Sequence, residues 1–352
     1  MVRNKSIVIP MAVRIKPDAL DRVGIYAARL HLKNIVLVGN KDLDPILVER
    51  VHTAMKESGI EILQHFEIDS IDFNQALETF QALPQNASAI MAFGGGKALD
   101  VAKYVAFLAR LPYIAAPTIL SNDGFCSPQS SLELKGKRRS FPSAMPSAVI
   151  IDTKVCLNAP RIFWLAGIGD VVSKITAIYD WKLWAKANKT VIDDFAALLS
   201  DATVFQLMAK PDHDLEGIRL LGTSLMLNGI AMEICGSSRP ASGSEHLISH
   251  ALDQISKKPR LHGLQVGVAS YIISLLQGQG SERIARLFDT IGFWKAIQED
   301  PLDKNEWLAA FRLAPTIKSD YYTVLSERDR SEDFAQILNT DVRLKEIFKS
   351  IG

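Results

Sequence analysis

AIMAFGGGKALDVAKYVAFLA, residues 89–109, changes its periodicity once, and that change decides the fold. Ala89 to Phe93 form a short continuous apolar run, the pattern of a strand buried on both faces. From Lys97 onward Leu99, Ala102, Val105 and Ala106 recur at helical spacing and make one inner face. Gly94, Gly95 and Gly96 stand between the two patterns. A strand, a glycine turn and a helix let the backbone approach a ligand closely, and the first N–H groups and dipole of the helix favour a diphosphate. The spacing matches neither GxGxxG nor a GK[ST] phosphate loop, so a plain tight turn stays open as the other reading.

Outward from this unit, short apolar runs alternate with helical patterns. The runs are IVLVG at 35–39, AIMAF at 89–93, YIAAP at 113–117 and AVIID at 148–152, and helix-like segments lie near 43–58, 72–83 and 97–109. Such alternation predicts a mostly parallel sheet flanked by helices. Residues 131–142 read as a polar hairpin turning at Lys135 and Gly136. After about Asn158 strand patterns nearly vanish and helical periods recur. The expected organisation is an α/β Rossmann-like dinucleotide-binding domain over 1–157 and an all-α metal- and substrate-binding domain over 158–352, the boundary falling at 152–160. Ligands of open α/β sheets sit beyond the carboxyl ends of the strands, so the active site is expected at a cleft between these domains.

Composition narrows the classes. A chain of 352 residues exceeds a usual single core. A net charge of +1 and a pI near 7.7, with dispersed lysines and arginines, give no electrostatic reason for nucleic-acid or membrane-surface binding. Cys126, Cys156 and Cys235 are odd in number, far apart and without CxxC spacing, which argues for a reducing, cytoplasmic setting. SIVIPMAV at 6–13 is short, contains Pro10 and is followed by Arg14 and Lys16, so it reads as a strand and not as a signal peptide. No stretch approaches the roughly 18 uninterrupted apolar residues of a membrane span.

Three metal-ligand candidates occupy separate contexts. Asp170 closes the turn GIGD and opens the helix-periodic VVSKITAIYDW, which places its carboxylate at a helix start. Ser242 and Glu245 in SGSEH have capping-box spacing, so a helix is expected to begin near Ser242 and carry His246 and His250 one turn apart on one face. His262 follows Pro259, precedes Gly263 and fronts the apolar LQVGVASYIISLL, another helix mouth. Helix mouths are where a shared cleft collects ligands. The alternatives are local: a capping Asp170 and a packing pair of histidines.

Four segments carry a family resemblance: FGGGKALDVAKY (93–104), APTILSNDGFCSP (116–128), GIGDVVSK (167–174), and SSRPASGSEHLISHALD (237–253) followed by LHG. In them the chain resembles the sn-glycerol-1-phosphate dehydrogenases, relatives of iron-containing alcohol dehydrogenases, glycerol dehydrogenases and dehydroquinate synthases. The resemblance implies a metal-dependent NAD(P) oxidoreductase that interconverts dihydroxyacetone phosphate and sn-glycerol 1-phosphate, and a homo-oligomer. It implies that Gly94, Gly95, Gly96, Lys97 and Ala98 surround the pyrophosphate of NAD or NADP. Thr118, Ile119, Leu120, Ser121 and Ser127 also contact the cofactor on this reading, and Asp123 binds substrate. Asp170, His246 and His262 hold Zn2+, for which iron(II) and nickel(II) are alternatives. His250 faces the substrate and relays or orients a proton. Read locally, Thr118, Ser121, Asp123 and Ser127 are turn and loop residues and His250 is a packing histidine.

Phosphate recognition falls to Arg239, Lys257, Lys258 or Arg260, with a solvated basic loop as the other reading of the last three. Cofactor choice is expected near Asn40 and Lys41, where no immediate acid stands. The competing functions are a dehydrogenase of glycerol or another small polyol, a dehydroquinate-synthase-like lyase that uses NAD transiently, and a noncatalytic nucleotide-binding regulator.

Overall fold

Apolar runs too uniform to leave one face in water require cover on both sides, and the computed structural model, which describes residues 6–349, builds that arrangement. Its main sheet holds β1 (Ala12–Lys16), β2 (Asn34–Asn40), β3 (Glu61–Ile68), β4 (Ala89–Gly94) and β5 (Tyr113–Pro117). β6 (Gln129–Leu134) and β7 (Lys137–Pro142) form the separate antiparallel hairpin, and β8 (Ala148–Asp152) returns to the sheet. The order is β1-β8-β5-β4-β2-β3, every pair parallel. β4, β5 and β8 are buried at every residue.

The helices of this half are α1 (Val23–Arg29), α2 (Pro45–Glu57), α3 (Phe73–Gln81), α4 (Gly96–Ala109) and the short α5 (Thr153–Asn158). Asp44, Asp72 and Asp152 cap α2, α3 and α5 with their carboxylates. The rest is helical apart from a two-residue parallel pair, Leu302–Asp303 with Phe348–Lys349: α6 (Arg161–Val172), α7 (Lys174–Ala187), α8 (Asp194–Ala209), α9 (Leu215–Cys235), α10 (Ser244–Ile255), α11 (His262–Gln277), α12 (Ser281–Ile291), α13 (Phe293–Gln298), α14 (Lys304–Leu313), α15 (Ser331–Thr340) and α16 (Val342–Ile347). An α/β half followed by an all-α half is the expected fold class.

Contacts divide the chain into two units. One runs through Ala159 and takes in His213–Ile234; the other holds Pro160–Asp212 and the chain from Cys235. α9 thus groups with the sheet, and its glycines give the reason. A Cβ on Gly222 would stand 3.0 Å from Ile151 Cδ1, and one on Gly229 would stand 1.7 Å from the Cys126 carbonyl oxygen. The helix backbone lies directly on the sheet unit at both points.

The structure corrects several local expectations. The N-terminal strand begins at Ala12, while residues 6–10 have no regular structure and Ile7, Val8 and Ile9 are exposed. Pro10 has no N–H to give a ladder. The strand at Glu61–Ile68 escapes notice in the sequence because it is an edge strand of mixed polarity. GIGD is not a turn, because α6 runs straight through it. Gly169 is needed for packing: a Cβ there would meet the Gly263 carbonyl oxygen at 2.2 Å, so α6 and α11 touch backbone to backbone. Asp170 consequently lies in the last turn of α6, not at a helix start.

Two helical stretches, Arg161–Ala187 and Leu215–Cys235, are long and apolar enough by composition to cross a membrane. Some 78% and 61% of their most apolar windows are buried inside the protein, the environment of core helices.

Candidate functional site

β2 and β4 are neighbours, but the chain leaves them in opposite directions, toward β3 from one and toward β5 from the other. Such a reversal opens a crevice beyond the carboxyl ends of the two strands. Asn40 ends β2 there and Gly94 ends β4. Gly94 has φ 142°, and a Cβ on it would lie 2.3 Å from Asn40 Oδ1, so the position demands glycine. Gly95 N–H donates to the same Asn40 oxygen at 2.6 Å, which fixes the turn. Gly95 is also the N-cap of α4, and no side chain caps that helix. Around Gly96 a Cβ would meet nothing within 4 Å. An uncapped helix start beside open space suits phosphate oxygens.

The other expected cofactor residues are placed unequally. Lys97 Nζ donates to the Asp69 carbonyl at 2.8 Å. Ala98 and Leu120 point into the core, so a ligand at this turn would meet only their backbone. Thr118 N–H donates to the Gly94 carbonyl at 2.9 Å, tying the β5 end to the glycine turn, and Ile119 lies over Gly95. Ser121 lines a small recess with Gly96, Asp100, Asn122 and Gly124. Asn122 Oδ1 accepts from Gly124 N–H at 2.8 Å and so starts the 3-10 turn Asp123–Cys126 that carries Asp123. The Ser127 hydroxyl works inside its own loop, bonded to the Gln129 carbonyl at 3.0 Å and accepting from Lys103 Nζ at 3.2 Å.

Sequence reasoning passed over Lys103 and the side-chain role of Asn40. Lys103 is fully buried and donates also to the carbonyls of Gly124 and Gln129, so one ammonium fastens the Asp123 loop to α4. Burial lowers its pKa, and Asp100, 3.5 Å away, opposes that shift. The one available signal was an Asp and a Lys three apart within the apolar body of the helix.

In the helical unit, backbone contact of α6 with α11 puts the last turn of α6 against the first turn of α11. Asp170 and His262 meet there, and α10 adds His246; their ligand atoms all lie within 4.8 Å of one another. Asp170 Oδ1 is 3.5 Å from His246 Nε2, and the His246 and His262 rings are 5.1 Å apart. Burial pushes the Asp170 carboxyl up, but the Lys174 ammonium 3.6 Å away and the His246 imidazole outweigh this and hold it well below the usual carboxylate range.

Glu245 does not form the expected capping box. α10 begins at Ser244, where Asp180 of α7 accepts from the Ser244 N–H at 2.7 Å and its hydroxyl at 2.6 Å. The Ser242 hydroxyl is buried without a hydrogen-bond partner among the described residues. Glu245, also fully buried, accepts from Gly243 N–H at 2.6 Å, Thr176 Oγ1 at 2.8 Å and His246 Nδ1 at 2.8 Å. A carboxylate only accepts, so Nδ1 of His246 carries a proton toward Glu245, and Nε2, on the Asp170 side, is the nitrogen left to ligate an ion. Ser249 Oγ likewise engages His262 Nδ1 at 3.0 Å, and Gln265 holds Ser249 at 3.0 Å. One carboxylate and two imidazoles, both oriented through Nδ1 by buried partners, fit a divalent ion and leave coordination positions open.

His250 stands one turn along α10, its ring 5.6 Å from that of His262. With His262 and Asp253 it makes a second group whose ligand atoms lie within 4.8 Å of each other. Asp253 was not singled out from the sequence, although it follows His250 by three residues on the same helix.

The iron-containing alcohol dehydrogenase family model matches residues 14–160. The glycerol-1-phosphate dehydrogenase [NAD(P)+] of Thermococcus sibiricus is 33% identical over 344 residues, covering 93% of this chain and 95% of the relative. The chain belongs to the glycerol-1-phosphate dehydrogenase family. The enzyme of that name from Aeropyrum pernix is 32% identical over 94% of this chain and 96% of its own. The fold is also that of a probable glycerol dehydrogenase from Sinorhizobium meliloti, with a TM-score of 0.74 at 17% identity over 96% of this chain and 99% of that one.

Within this glycerol-1-phosphate dehydrogenase family member, three of the four basic residues singled out for phosphate, Arg239, Lys258 and Arg260, have internal partners. The Arg239 guanidinium is sandwiched between Trp184 and Tyr321, 4.3 and 4.2 Å from their rings, and donates to the Tyr322 and Asp320 carbonyls. Arg260 and Lys258 both pair with Asp300.

Proposed function

We infer that this protein catalyses the NAD(P)-dependent interconversion of dihydroxyacetone phosphate and sn-glycerol 1-phosphate with a divalent metal ion. The observation that carries the reading is the convergence of Asp170, His246 and His262 from three separate helices in a chain one third identical, almost end to end, to enzymes of that name. Asp170, His246 and His262 would hold zinc, with iron(II) and nickel(II) accepted by the same donors. Such an ion supplies Lewis acidity, stabilising negative charge that grows on the substrate oxygen during reduction. Bound NAD(P)H would supply the hydride for the carbonyl carbon and leave as NAD(P)+, and a proton would complete the hydroxyl.

The chain's own residues divide the remaining work. Gly94, Gly95 and Gly96, with the backbone of Lys97 and Ala98, would cradle the pyrophosphate through the uncapped start of α4. Thr118 to Ser121 would border the cofactor, while Ser127 would act by shaping the loop that presents Asp123 to substrate. Glu245 and Ser249 would hold the two imidazoles in their ligating orientation. His250, next to the metal group and near neutrality in its reference pKa, would orient substrate or deliver the proton. A cytoplasmic setting suits three cysteines, Cys126, Cys156 and Cys235, that are not paired with one another.

A glycerol-type polyol is the second reading, favoured by the internal partners of Arg239, Lys258 and Arg260. Oxidation of NADH and NADPH by zinc-loaded protein, with dihydroxyacetone phosphate and in parallel with dihydroxyacetone, separates the two. Turnover confined to the phosphorylated ketone and lost in His262→Ala is the expected result. Equal turnover of both ketones would replace the phosphate-specific reading with the polyol one.

A further inference from the structure

Asp170, His246 and His262 are closed in on three sides. Behind Asp170 stands the fully buried Lys174, its ammonium 3.6 Å from the carboxylate, and a cation approaching from there is repelled. Behind His246 the fully buried Glu245 holds Nδ1. Between α6 and α11 the backbones of Gly169 and Gly263 touch. Asp170 and His246 keep only 1% and 7% of their accessible surface, so neither offers an ion a direct way in from water.

The remaining side is different. His250, Asp253 and His262 are each half-buried, and their ligand atoms lie within 4.8 Å of one another, as close a grouping as the inner donors make. His262 belongs to both groups. The rings of His246, His250 and His262 form a triangle with sides of 5.1, 5.6 and 6.4 Å, so an ion passing from the outer group to the inner one stays beside the same imidazole throughout. A divalent ion must shed water before it enters a buried site, which is costly unless donors replace that water stepwise. Two imidazoles and a carboxylate at the half-exposed edge of the buried group are donors of that kind. Asp253 is also tied to the inner group, since Gln265 Nε2 donates to Asp253 Oδ1 at 3.1 Å and to Ser249 Oγ at 3.0 Å, and Ser249 engages His262.

We propose that His250, Asp253 and His262 form an entry site, which takes a divalent ion from water and passes it to Asp170, His246 and His262. The proposal rests on the reading that the inner three hold the ion, and it adds a residue, Asp253, to which the reaction itself gives no role.

Stopped-flow uptake of zinc by the chelated full-length protein tests it, alongside zinc affinity measured by competition with a chromogenic chelator. Asp253→Asn keeps an acceptor for Gln265 while losing the charged donor, and His250→Gln removes a donor without removing a carboxylate. Each should slow zinc uptake by about tenfold or more and slow its release by the same factor, because a lost intermediate site changes the barrier and not the end state. The affinity should therefore stay unchanged. The slowing by Asp253→Asn should persist at about 1 M salt, where the screening length is about 3 Å and a merely attracting charge no longer acts. Uptake at the wild-type rate in both variants would overturn the proposal, and so would a slowing that salt abolishes. Weakened affinity at an unchanged uptake rate would also overturn it, leaving Asp253 as a support for His262. A wild type that takes up no zinc would overturn the metal reading itself, and the entry site with it.

Discussion

The glycine turn and the metal cluster are built from different material. At the turn the groups proposed to face a ligand are backbone N–H donors, and side chains matter mainly by their absence at Gly94 and Gly96 or by holding the turn, as Asn40 does for Gly95. At the cluster the facing groups are side chains, and each imidazole depends on a further buried partner, Glu245 or Ser249. The first kind of site tolerates change in anything but its shape. The second fails when any donor, or the group that aims it, is lost.

The largest effect should therefore come from the cluster. Removing the metal by chelation, or substituting His246→Ala, is expected to lower kcat/KM by about 10³-fold or more, the several kcal/mol of charge stabilisation that a Lewis acid supplies. Restoration of the chelated wild type by zinc, but not of the variant, is the check. Retained activity in metal-free protein would dissolve the comparison.

Next in size is the aiming layer. Glu245→Gln leaves every metal donor in place but replaces the charged acceptor at His246 Nδ1 with a neutral amide, so zinc affinity should fall about 10- to 100-fold. Competition with a chromogenic chelator measures it. An unchanged affinity would mean that the imidazoles need no support and that the two sites are alike in this respect.

At the turn, two alanines separate shape from contact. Gly94→Ala forces a side chain onto a left-handed backbone and into Asn40, and should cost about 1–3 kcal/mol of stability. Gly96→Ala meets no protein atom and should leave the melting temperature within about a degree or slightly raised, yet increase the cofactor KM by crowding the helix start. If Gly96→Ala leaves KM unchanged, the pyrophosphate does not lie there.

The smallest effect is a pH slope. Burial, and next the Glu245 charge, raise the Asp180 carboxyl from 3.8 to about 7. Between those values the folded protein keeps a proton that the unfolded chain has lost. The stability from this group is thus fully present below the unfolded pKa, declines as pH rises through the window, and is flat above it. Asp180→Asn should flatten the change in melting temperature between ~pH 5 and ~pH 8 by only about a few degrees.

How far each region was legible follows from the same contrast. The strand, the glycines and α4 are contiguous, and their meaning is local, so residues 89–109 yielded the turn directly. GIGD misled for the opposite reason. Glycine marks close backbone approach as readily as it marks a turn, and the Gly263 carbonyl that crowds Gly169 is 94 residues away in the chain. The SGSEH motif misled in part: Glu245 does accept from the N-cap Gly243 N–H while it orients His246, but Ser242 takes no part, and Asp180 from α7 binds the first N–H of the helix in its place.

The sequence by itself determined the α/β then all-α organisation and the glycine turn, and offered Asp170, His246 and His262 as candidate metal donors, because periodicity, backbone permissiveness and donor chemistry belong to residue types. Only the tertiary structure decided that Asn40 shapes the turn, that Lys103 ties down the Asp123 loop, that α9 lies with the sheet, and that Glu245 and Ser249 aim the histidines. Those roles rest on contacts between segments distant in sequence or on side-chain directions, and neither is encoded in the spacing of residues along one element.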